Sequence, residues 1–377
     1  MTQNHQQIML SSLEIQNYRN FKHLRIEKLE RVNLIIGKNN TGKTSLLEAV
    51  IIFITQGNII QLFKILDKRR EFFDSEEVPP QIKLHSLANL FINRKAAFTP
   101  EEAIKISSVS NNLSIRLSKY VEIEVPTVLT NAFGTETLLE TVSTKLTEID
   151  AKLDGKLRLE SKIDNEFKYV SLSRSSLADM SFEEASERQQ NNFQFVSAGI
   201  TDDSLIADLW QKTQLTDSEE EVVKALRLLE PDIQRVSFKR NGDQDYAIVK
   251  LKNINEPVSL RSMGDGINRI LAIILAMVNC QNGYLLIDEF DNGLHVSVQK
   301  QLWEIVFELA NRLNIQVFAT THSYDCIDAF SEVLGSGKYA ESDGLMVRLD
   351  NWQDNIEATI YEAKDIFNTT RLQIDPR

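Results

Sequence analysis

The chain has 377 residues, 42% of them hydrophobic, and a formal net charge of −12. A chain of this size can bury a large core and should form about two structural units, and its acidic charge argues against a protein coated in basic surface. Two distant cysteines, no apolar stretch of ~18 residues and a polar N-terminus predict a cytoplasmic protein without structural zinc or a membrane association.

The first predicted elements are short strands. The apolar residues predict two short strands joined by a turn around Asn20; they are Leu13, Ile15, Tyr18 and Phe21, followed by Leu24, Ile26 and Leu29. A third apolar run, Val32 to Ile36, follows directly. We expect the first two strands to form an antiparallel β edge beside the nucleotide that the next motif predicts.

The run from Gly37 to Thr44 reads Gly-Lys-Asn-Asn-Thr-Gly-Lys-Thr and matches the phosphate-binding loop G-x-x-x-x-G-K-[ST]. A strand precedes it and an apolar helix pattern follows from Leu46 to Phe53, which is the context that directs backbone amides and the helix dipole at a polyphosphate. This P-loop predicts a nucleoside triphosphate site with a catalytic Lys43. The predicted contacts are Gly37, Asn39, Asn40, Thr41, Gly42, Lys43, Thr44 and Ser45.

The apolar periodicity becomes less regular from Ala96 to about Asp232, where we predict an inserted α+β lobe. Alternation over 113–117 and 121–125 predicts strands. Apolar residues at steps of three and four from Leu139 to Leu153 predict a short amphipathic helix, and the Thr content of this stretch leaves strands as the alternative.

Two local signals mark the end of the lobe. Thr216 and Glu219 form a capping box for a helix through Leu229, and Asn241-Gly242 lies between two apolar runs as a hairpin signal. We predict that residues 1–95 and 233–377 form the unit that carries the P-loop, interrupted by the lobe at 96–232.

The segment from Tyr284 to Ile287 is an apolar strand that ends in Asp288 and Glu289. A parallel strand of this kind places both carboxylates at the sheet edge where a P-loop holds its triphosphate. We predict that Asp288 and the Thr44 hydroxyl hold Mg²⁺, and that Glu289 orients and deprotonates the attacking water. A solvated strand end is the structural alternative.

A second anion-binding surface is predicted where Ser262, Gly264 and Gly266 open a helix, 26 positions before Asp288. A hydroxyl and glycine amides with a helix dipole behind them suit a phosphate, whereas a glycine-rich cap on a core helix is the alternative.

A histidine at a strand end supplies the fourth predicted element. His322 follows the strand Ile315 to Ala319, from which an imidazole can reach a γ-phosphate, so we predict a catalytic, phosphate-sensing role. His295 has no such context and is assigned to turn packing.

In this order, the motifs resemble the ABC-type ATPase heads of SMC-like, RecF-like and OLD-type proteins, and most closely the stand-alone AAA family ATPases related to OLD nucleases. About the first 95 and the last 145 residues are covered. The resemblance implies an α/β P-loop NTPase fold of the ABC-ATPase head type, ATP and Mg²⁺ as cofactors, and ATP hydrolysis. It also implies a homodimer in which Ser262 and Gly264 of one subunit complete the site built on Lys43 of the other. The matching segments are 13–21, 37–44, 262–266, 286–295 and 319–323.

The sequence departs from the wider group in its length. About 220 residues separate the P-loop from the signature Ser262 to Gly266, too few for the coiled-coil arms of SMC proteins. The 54 residues from Tyr324 to Arg377 lack the Glu and Asp-x-Asp pattern of the TOPRIM nuclease domain that OLD nucleases carry. We therefore expect an ATPase switch that acts through a separate effector, a TOPRIM-like nuclease, in antiphage defence or DNA surveillance. Gln56, Gln61 and Gln81 are all candidates for the Q-loop residue of the group.

Three alternatives remain from the sequence. The first is a RecF-like ATPase that binds DNA directly in repair, for which the basic clusters at 68–70 and 94–95 are candidate contacts, or else solvated helix ends. A transporter nucleotide-binding subunit is disfavoured by the long insertion and the N-terminal sequence. A small GTPase is disfavoured because no Asn-Lys-x-Asp motif occurs.

Overall fold

The computed structural model describes residues 9–72, 80–109, 111–131, 134–145, 156–164, 166–172, 191–199, 203–241, 244–264, 266–353, 355–372 and 375–377. Its contacts divide the chain into two compact units. The first consists of Met1–Leu13, Leu24–Leu47 and Asn191–Arg377, and the second of Glu14–His23 and Glu48–Gln190.

Sixteen strands and nine α-helices are present in the described part of the chain. The strands are β1 (Leu13–Tyr18), β2 (Phe21–Ile26), β3 (Val32–Ile36), β4 (Ile104–Ser107), β5 (Asn112–Asn131), β6 (Gly134–Lys145), β7 (Lys156–Ile163), β8 (Glu166–Ser171), β9 (Phe193–Val196), β10 (Ile233–Asn241), β11 (Gln244–Leu251), β12 (Val258–Ser259), β13 (Tyr284–Ile287), β14 (Gln316–Thr320), β15 (Gly344–Trp352) and β16 (Asn355–Tyr361). The helices are α1 (Lys43–Ile54), α2 (Ile59–Lys68), α3 (Pro80–Ala88), α4 (Asp203–Thr213), α5 (Asp217–Arg227), α6 (Gly266–Val278), α7 (Val296–Arg312), α8 (Tyr324–Leu334) and α9 (Ala363–Arg371).

The first unit is built on a six-stranded sheet in the order β16-β15-β3-β14-β13-β9. All neighbours are parallel except β15 and β16. Every residue of β3, β13 and β14 is buried, as is typical of central parallel strands covered on both faces. Strands β3, β14 and β13 are adjacent and parallel, so their carboxyl ends lie at the same edge of the sheet. The P-loop, His322 and the Asp288-Glu289 pair each follow one of these strands.

Helix α6 and an aromatic cluster form the centre of the core in this unit. The ten residues from Arg269 to Val278 are all buried, which makes α6 an interior helix rather than an amphipathic one. Phe290, directly after the carboxylate pair, stacks on Trp303 of α7 with ring centroids 3.8 Å apart. Trp303 meets Phe330 of α8 edge to face at 4.9 Å. The α/β P-loop fold predicted from the sequence is confirmed.

The predicted hairpin at Asn241-Gly242 is confirmed by the pairing of β10 with β11, which extends to Asn241 opposite Gln244; Gly242 itself lies outside the described residues. Thr216 caps α5 by accepting a hydrogen bond from the Ser218 amide. Glu219 accepts from the amide of Leu215 at 2.8 Å, one residue earlier than in a regular capping box.

The second unit contains a seven-stranded sheet with the order β2-β1-β4-β5-β7-β8, and β6 pairs with β5. The helix predicted from Leu139 to Leu153 is wrong for its first half. Residues up to Lys145 belong to β6, which pairs antiparallel with β5 from Asn131 opposite Gly134 to Tyr120 opposite Lys145. Five β-branched residues in β6 favour a strand, and the long partner strand satisfies its backbone. Residues 146–155 lie outside the described part.

A buried ion cluster lies around Glu48 of α1 in the second unit. The Glu48 carboxylate accepts from the Tyr18 hydroxyl at 3.0 Å and pairs with Arg19 at 2.8 Å and Arg69 at 2.6 Å. Arg69, one of the candidate DNA contacts, is therefore an ion-pair partner of a buried carboxylate, which favours a structural role for it.

The Q-loop candidates lie on separate elements: Gln56 in the turn after α1, Gln61 on α2 and Gln81 on α3. None of the helices in the described ranges is long and apolar enough to cross a membrane.

Candidate active site

The P-loop begins at a position whose backbone conformation favours glycine. Gly37 follows the buried strand β3 with φ of 146°, a conformation that other residues rarely adopt. A Cβ atom here would lie 2.5 Å from the Leu349 carbonyl oxygen and 2.8 Å from Thr41 Oγ1. Positive φ angles recur at Asn40 and Gly42 before α1 begins at Lys43. The loop is thus a tight backbone cradle, held against β15.

Gly37→Ala is expected to reduce thermal stability and to weaken ATP binding at least tenfold, because the new methyl group must displace the β15 backbone or the loop. Differential scanning fluorimetry and titration with a fluorescent ATP analogue would measure both. Gly337→Ala is the matched control: its φ is also positive, at 76°, but nothing lies within 4 Å of an added Cβ. It should cost about 1 kcal/mol of stability and leave ATP affinity unchanged. Equal losses of ATP affinity in the two variants would contradict the steric argument.

Lys43 lies over the mouth of this cradle. Its Nζ donates to the carbonyl oxygens of Gly37 at 2.7 Å and Lys38 at 2.8 Å. Burial lowers the pKa of the Lys43 ammonium, and the carboxylates of Asp288 and Glu289 act in the opposite direction. The Lys43 ammonium is therefore bound to the P-loop backbone, and it lies close enough to the Asp288 and Glu289 carboxylates to interact with both.

The predicted metal ligands lie together. The Thr44 hydroxyl donates to the Asp288 carboxylate at 3.0 Å, and Thr320 Oγ1 donates to the same carboxylate at 2.7 Å. Hydroxyl and carboxylate oxygens suit Mg²⁺, which usually takes one or two protein carboxylates and completes its shell with phosphates and water. Among the described residues, no group of three His, Cys, Asp or Glu side chains could hold a metal alone. This donor set fits a Mg²⁺ ion bound with a nucleotide.

Glu289 lies beside this pair, half-buried at the edge of the sheet. Its flanking residues Asp288 and Phe290 are both buried, and the Phe290 ring is fixed by the stack on Trp303. The segment after β13 is therefore anchored on both sides, so that the Glu289 carboxylate is presented from a fixed backbone.

The signature residues lie at the exposed start of α6. Ser262 and Gly264 are exposed, and Gly264 has φ of 119° with open space where a Cβ would stand. The contacts that the structure shows for them are local, from Ser262 Oγ to the Ser259 carbonyl at 2.6 Å and from the Gly264 amide to Arg261. Gly266 opens the helix, and Asp265 lies outside the described residues. Among the described residues, no contact joins Ser262, Gly264 or Gly266 to the P-loop.

His322 follows β14 at the same sheet edge as the P-loop and is exposed. Its carbonyl oxygen accepts from Arg377 Nη1 at 2.7 Å, and Arg377 forms an ion pair with Asp375 at 2.6 Å. The pKa of Asp375 is lowered to about 2, mainly by Arg377. His295 is exposed and caps α7 by accepting from the Ser297 amide, so its local role is that of a helix cap and not the predicted turn packing.

Three groups near the site were missed from the sequence: Arg269, Thr320 and the Asp375–Arg377 pair. Arg269 stands in an apolar helix pattern, and a lone cation there was a usable signal. Thr320 lies in the Thr-Thr-His motif, in which the sequence predicts a role only for His322. The contact of Arg377 with the His322 backbone joins residues 55 positions apart, and no local pattern indicates it.

Comparisons with known proteins identify the family of this chain. The sequence profile of the AAA ATPase domain matches residues 9–327. An "ATP/GTP phosphatase" of Helicobacter pylori is 26% identical over 377 residues, covering 94% of this chain and 96% of that protein. A "DNA replication and repair protein RecF" of Rickettsia canadensis is 27% identical over 373 residues, covering 86% and 97%.

Solved structures with a similar chain trace include an SMC head bound to the C-winged helix domain of ScpA, with a TM-score of 0.49 at 11% identity over 95% of this chain and 99% of that one. The SMC head domain from Thermotoga maritima gives 0.45 at 11% identity, over 94% and 100%. The family assignment depends on the profile instead, since that match spans most of the sequence, including the P-loop, the signature and the carboxylate pair. The chain belongs to the AAA ATPase domain family.

Proposed function

We propose that this protein is an ATP-binding and ATP-hydrolysing switch that works as a homodimer. The observation that carries the proposal is the 3.0 Å contact between the Thr44 hydroxyl and the Asp288 carboxylate, with Lys43 and Glu289 at the same sheet edge. A nucleotide-binding loop, a metal-binding pair and a free carboxylate are the groups that phosphoryl transfer to water requires.

In this proposal the P-loop amides and Lys43 bind the phosphates, and Thr44 and Asp288 hold Mg²⁺. The metal, when bound, neutralises charge on the phosphate oxygens. Glu289 orients a water and accepts its proton, and His322 donates a hydrogen bond toward the γ-phosphate from the end of β14. Asp288 is engaged by two hydroxyl donors, which leaves Glu289 as the carboxylate for proton transfer.

Dimerisation is proposed because the contacts described for Ser262 and Gly264 are local and do not reach the P-loop of their own chain. Ser262 and Gly264 present a hydroxyl and an open glycine backbone to the outside. A second copy would place this surface over the bound nucleotide, so that each of two sites is shared between subunits.

Subunit mixing tests the shared site. Lys43→Ala and Ser262→Arg should each be inactive alone, because one lacks the phosphate-binding amine and the other blocks the signature surface. A 1:1 mixture should recover hydrolysis that neither variant shows alone, because a mixed dimer combines the intact Lys43 of one subunit with the intact Ser262 of the other and so has one complete site. Phosphate release at saturating ATP would measure this. A mixture as inactive as its components would contradict a shared site.

The output of the switch is proposed to pass through a separately encoded effector, a TOPRIM-like nuclease, in antiphage defence or DNA surveillance. The resemblance to OLD-type ATPases supports this proposal. Co-purification of a nuclease encoded beside this gene, dependent on ATP and lost in Lys43→Ala, would test it.

The relative named as a DNA replication and repair protein favours a second candidate, direct DNA binding. Fluorescence anisotropy with labelled DNA separates the two. ATP-stimulated binding that weakens steeply between 50 and 200 mM salt would support the RecF-like function. Absence of binding at low salt, together with capture of a nuclease, would support the effector.

A further inference from the structure

Arg269 is a buried cation on the first turn of α6, 5% exposed, in a stretch that is otherwise apolar from Ile270 to Val278. Its guanidinium is surrounded by backbone carbonyl oxygens at the carboxyl ends of two strands. Nη2 donates to the backbone carbonyl oxygen of Asp288 at 2.9 Å and to that of Glu289 at 2.6 Å. Nη1 donates to Ser197 at 3.1 Å, and Nε approaches Phe290 at 3.5 Å.

A core position of this kind would be filled at lower cost by an apolar side chain, because removing a guanidinium from water is unfavourable. Burial accordingly lowers the pKa of Arg269, and Asp291, Glu289 and Asp288 oppose the shift. Three of its acceptors are consecutive residues of one segment, 288–290. The fork of donors therefore fits the backbone of the segment that carries the carboxylate pair.

The backbone of Glu289 needs such support. Its φ is +50°, in the left-handed region that residues with a Cβ adopt at a cost in energy. Thr320 Oγ1 accepts a hydrogen bond from the Glu289 amide at 2.8 Å, and Arg269 donates to the Glu289 carbonyl. The peptide groups on both sides of this strained residue are thus held by side chains from two other elements.

We propose that Arg269 is a positioning residue for Glu289, holding its backbone so that the carboxylate points to the attacking water. Because α6 begins at Gly266, directly beyond Ser262 and Gly264, the same helix connects the exposed signature surface to the catalytic carboxylate. The inference rests on the proposed role of Glu289 as the base.

Arg269→Lys keeps the charge but loses the forked donors, and Arg269→Gln keeps donors without the charge. Both are expected to lower kcat about 10- to 100-fold, with KM and ATP affinity within about twofold of wild type, because a misplaced base slows only the chemical step. Arg235→Lys is the matched control, on an exposed arginine of β10, and should behave as wild type.

Hydrogen exchange of the nucleotide-free protein gives a readout independent of activity. Both variants should exchange the amides of Glu289 and Phe290 faster, while those of β3 remain protected. A double-mutant cycle supplies the second readout: in single-turnover assays, Arg269→Lys should cause no further loss in the Glu289→Gln background.

Several outcomes would overturn the proposal. The first is additive losses of activity in the double-mutant cycle, and the second is unchanged hydrogen exchange at residues 289–290. The third is loss of ATP binding and of the thermal unfolding transition in both variants, which would assign Arg269 to folding alone. If Glu289→Gln hydrolyses ATP like wild type, the proposed function fails. If Glu289→Gln is inactive but Arg269→Lys is not impaired, only this inference fails.

Discussion

Glu289→Gln is expected to lower kcat for ATP hydrolysis by about 10²- to 10⁴-fold and to leave ATP affinity nearly unchanged. Glutamine keeps the size of the side chain and a hydrogen-bonding oxygen, but it cannot accept a proton from water at neutral pH. We do not expect the neighbouring Asp288 to substitute, because its carboxylate accepts hydrogen bonds from Thr44 and Thr320 and is the proposed Mg²⁺ ligand. Phosphate release at saturating ATP measures kcat, and titration with a fluorescent ATP analogue measures binding.

Glu256→Gln removes the same charge from an exposed loop and serves as the control, with activity expected at the wild-type level. Wild-type hydrolysis by Glu289→Gln would show that another group accepts the proton. Loss of ATP binding in Glu289→Gln would instead show that this carboxylate supports the nucleotide site as a whole.

Lys43→Ala is expected to weaken ATP binding by at least about 30-fold and to abolish ATP-dependent dimerisation. The Lys43 amine now donates to two P-loop carbonyls, and bound phosphates would offer it stronger, charged acceptors. Without this amine the nucleotide is bound weakly. The surface that a bound nucleotide offers to a second subunit is then lost as well. Light scattering coupled to size exclusion, in the Glu289→Gln background with Mg²⁺ and ATP, measures dimerisation without hydrolysis.

The control for this variant is Lys364→Ala, which removes an exposed lysine of α9 that lies 3.8 Å from Glu341. It should bind ATP and dimerise as the parent protein does. A Lys43→Ala protein that still dimerised on addition of ATP would separate dimerisation from nucleotide binding and would contradict the shared-site proposal.

The P-loop could be predicted because its requirements are local. A buried strand, glycines at Gly37 and Gly42 and a following helix are set by residues adjacent in sequence, and the structure shows the strand–loop–helix unit in place. The same holds for the strand that ends at Asp288. By contrast, the stretch from Leu139 has apolar spacing that suits a helix, and pairing with β5 makes it a strand. Periodicity in a short segment does not reveal whether a partner strand is available.

The sequence by itself predicted which residues would bind phosphate, metal and water, because each motif encodes both its chemistry and its local backbone. Only the tertiary structure decided that β14 lies between β3 and β13. It also decided that Thr320 hydrogen-bonds both the Asp288 carboxylate and the Glu289 amide, and that Arg269 donates a hydrogen bond to the Glu289 carbonyl oxygen. These contacts join residues about 20 to 30 positions apart through strand order and helix packing. They depend on the burial of the whole core, so no local pattern could specify them.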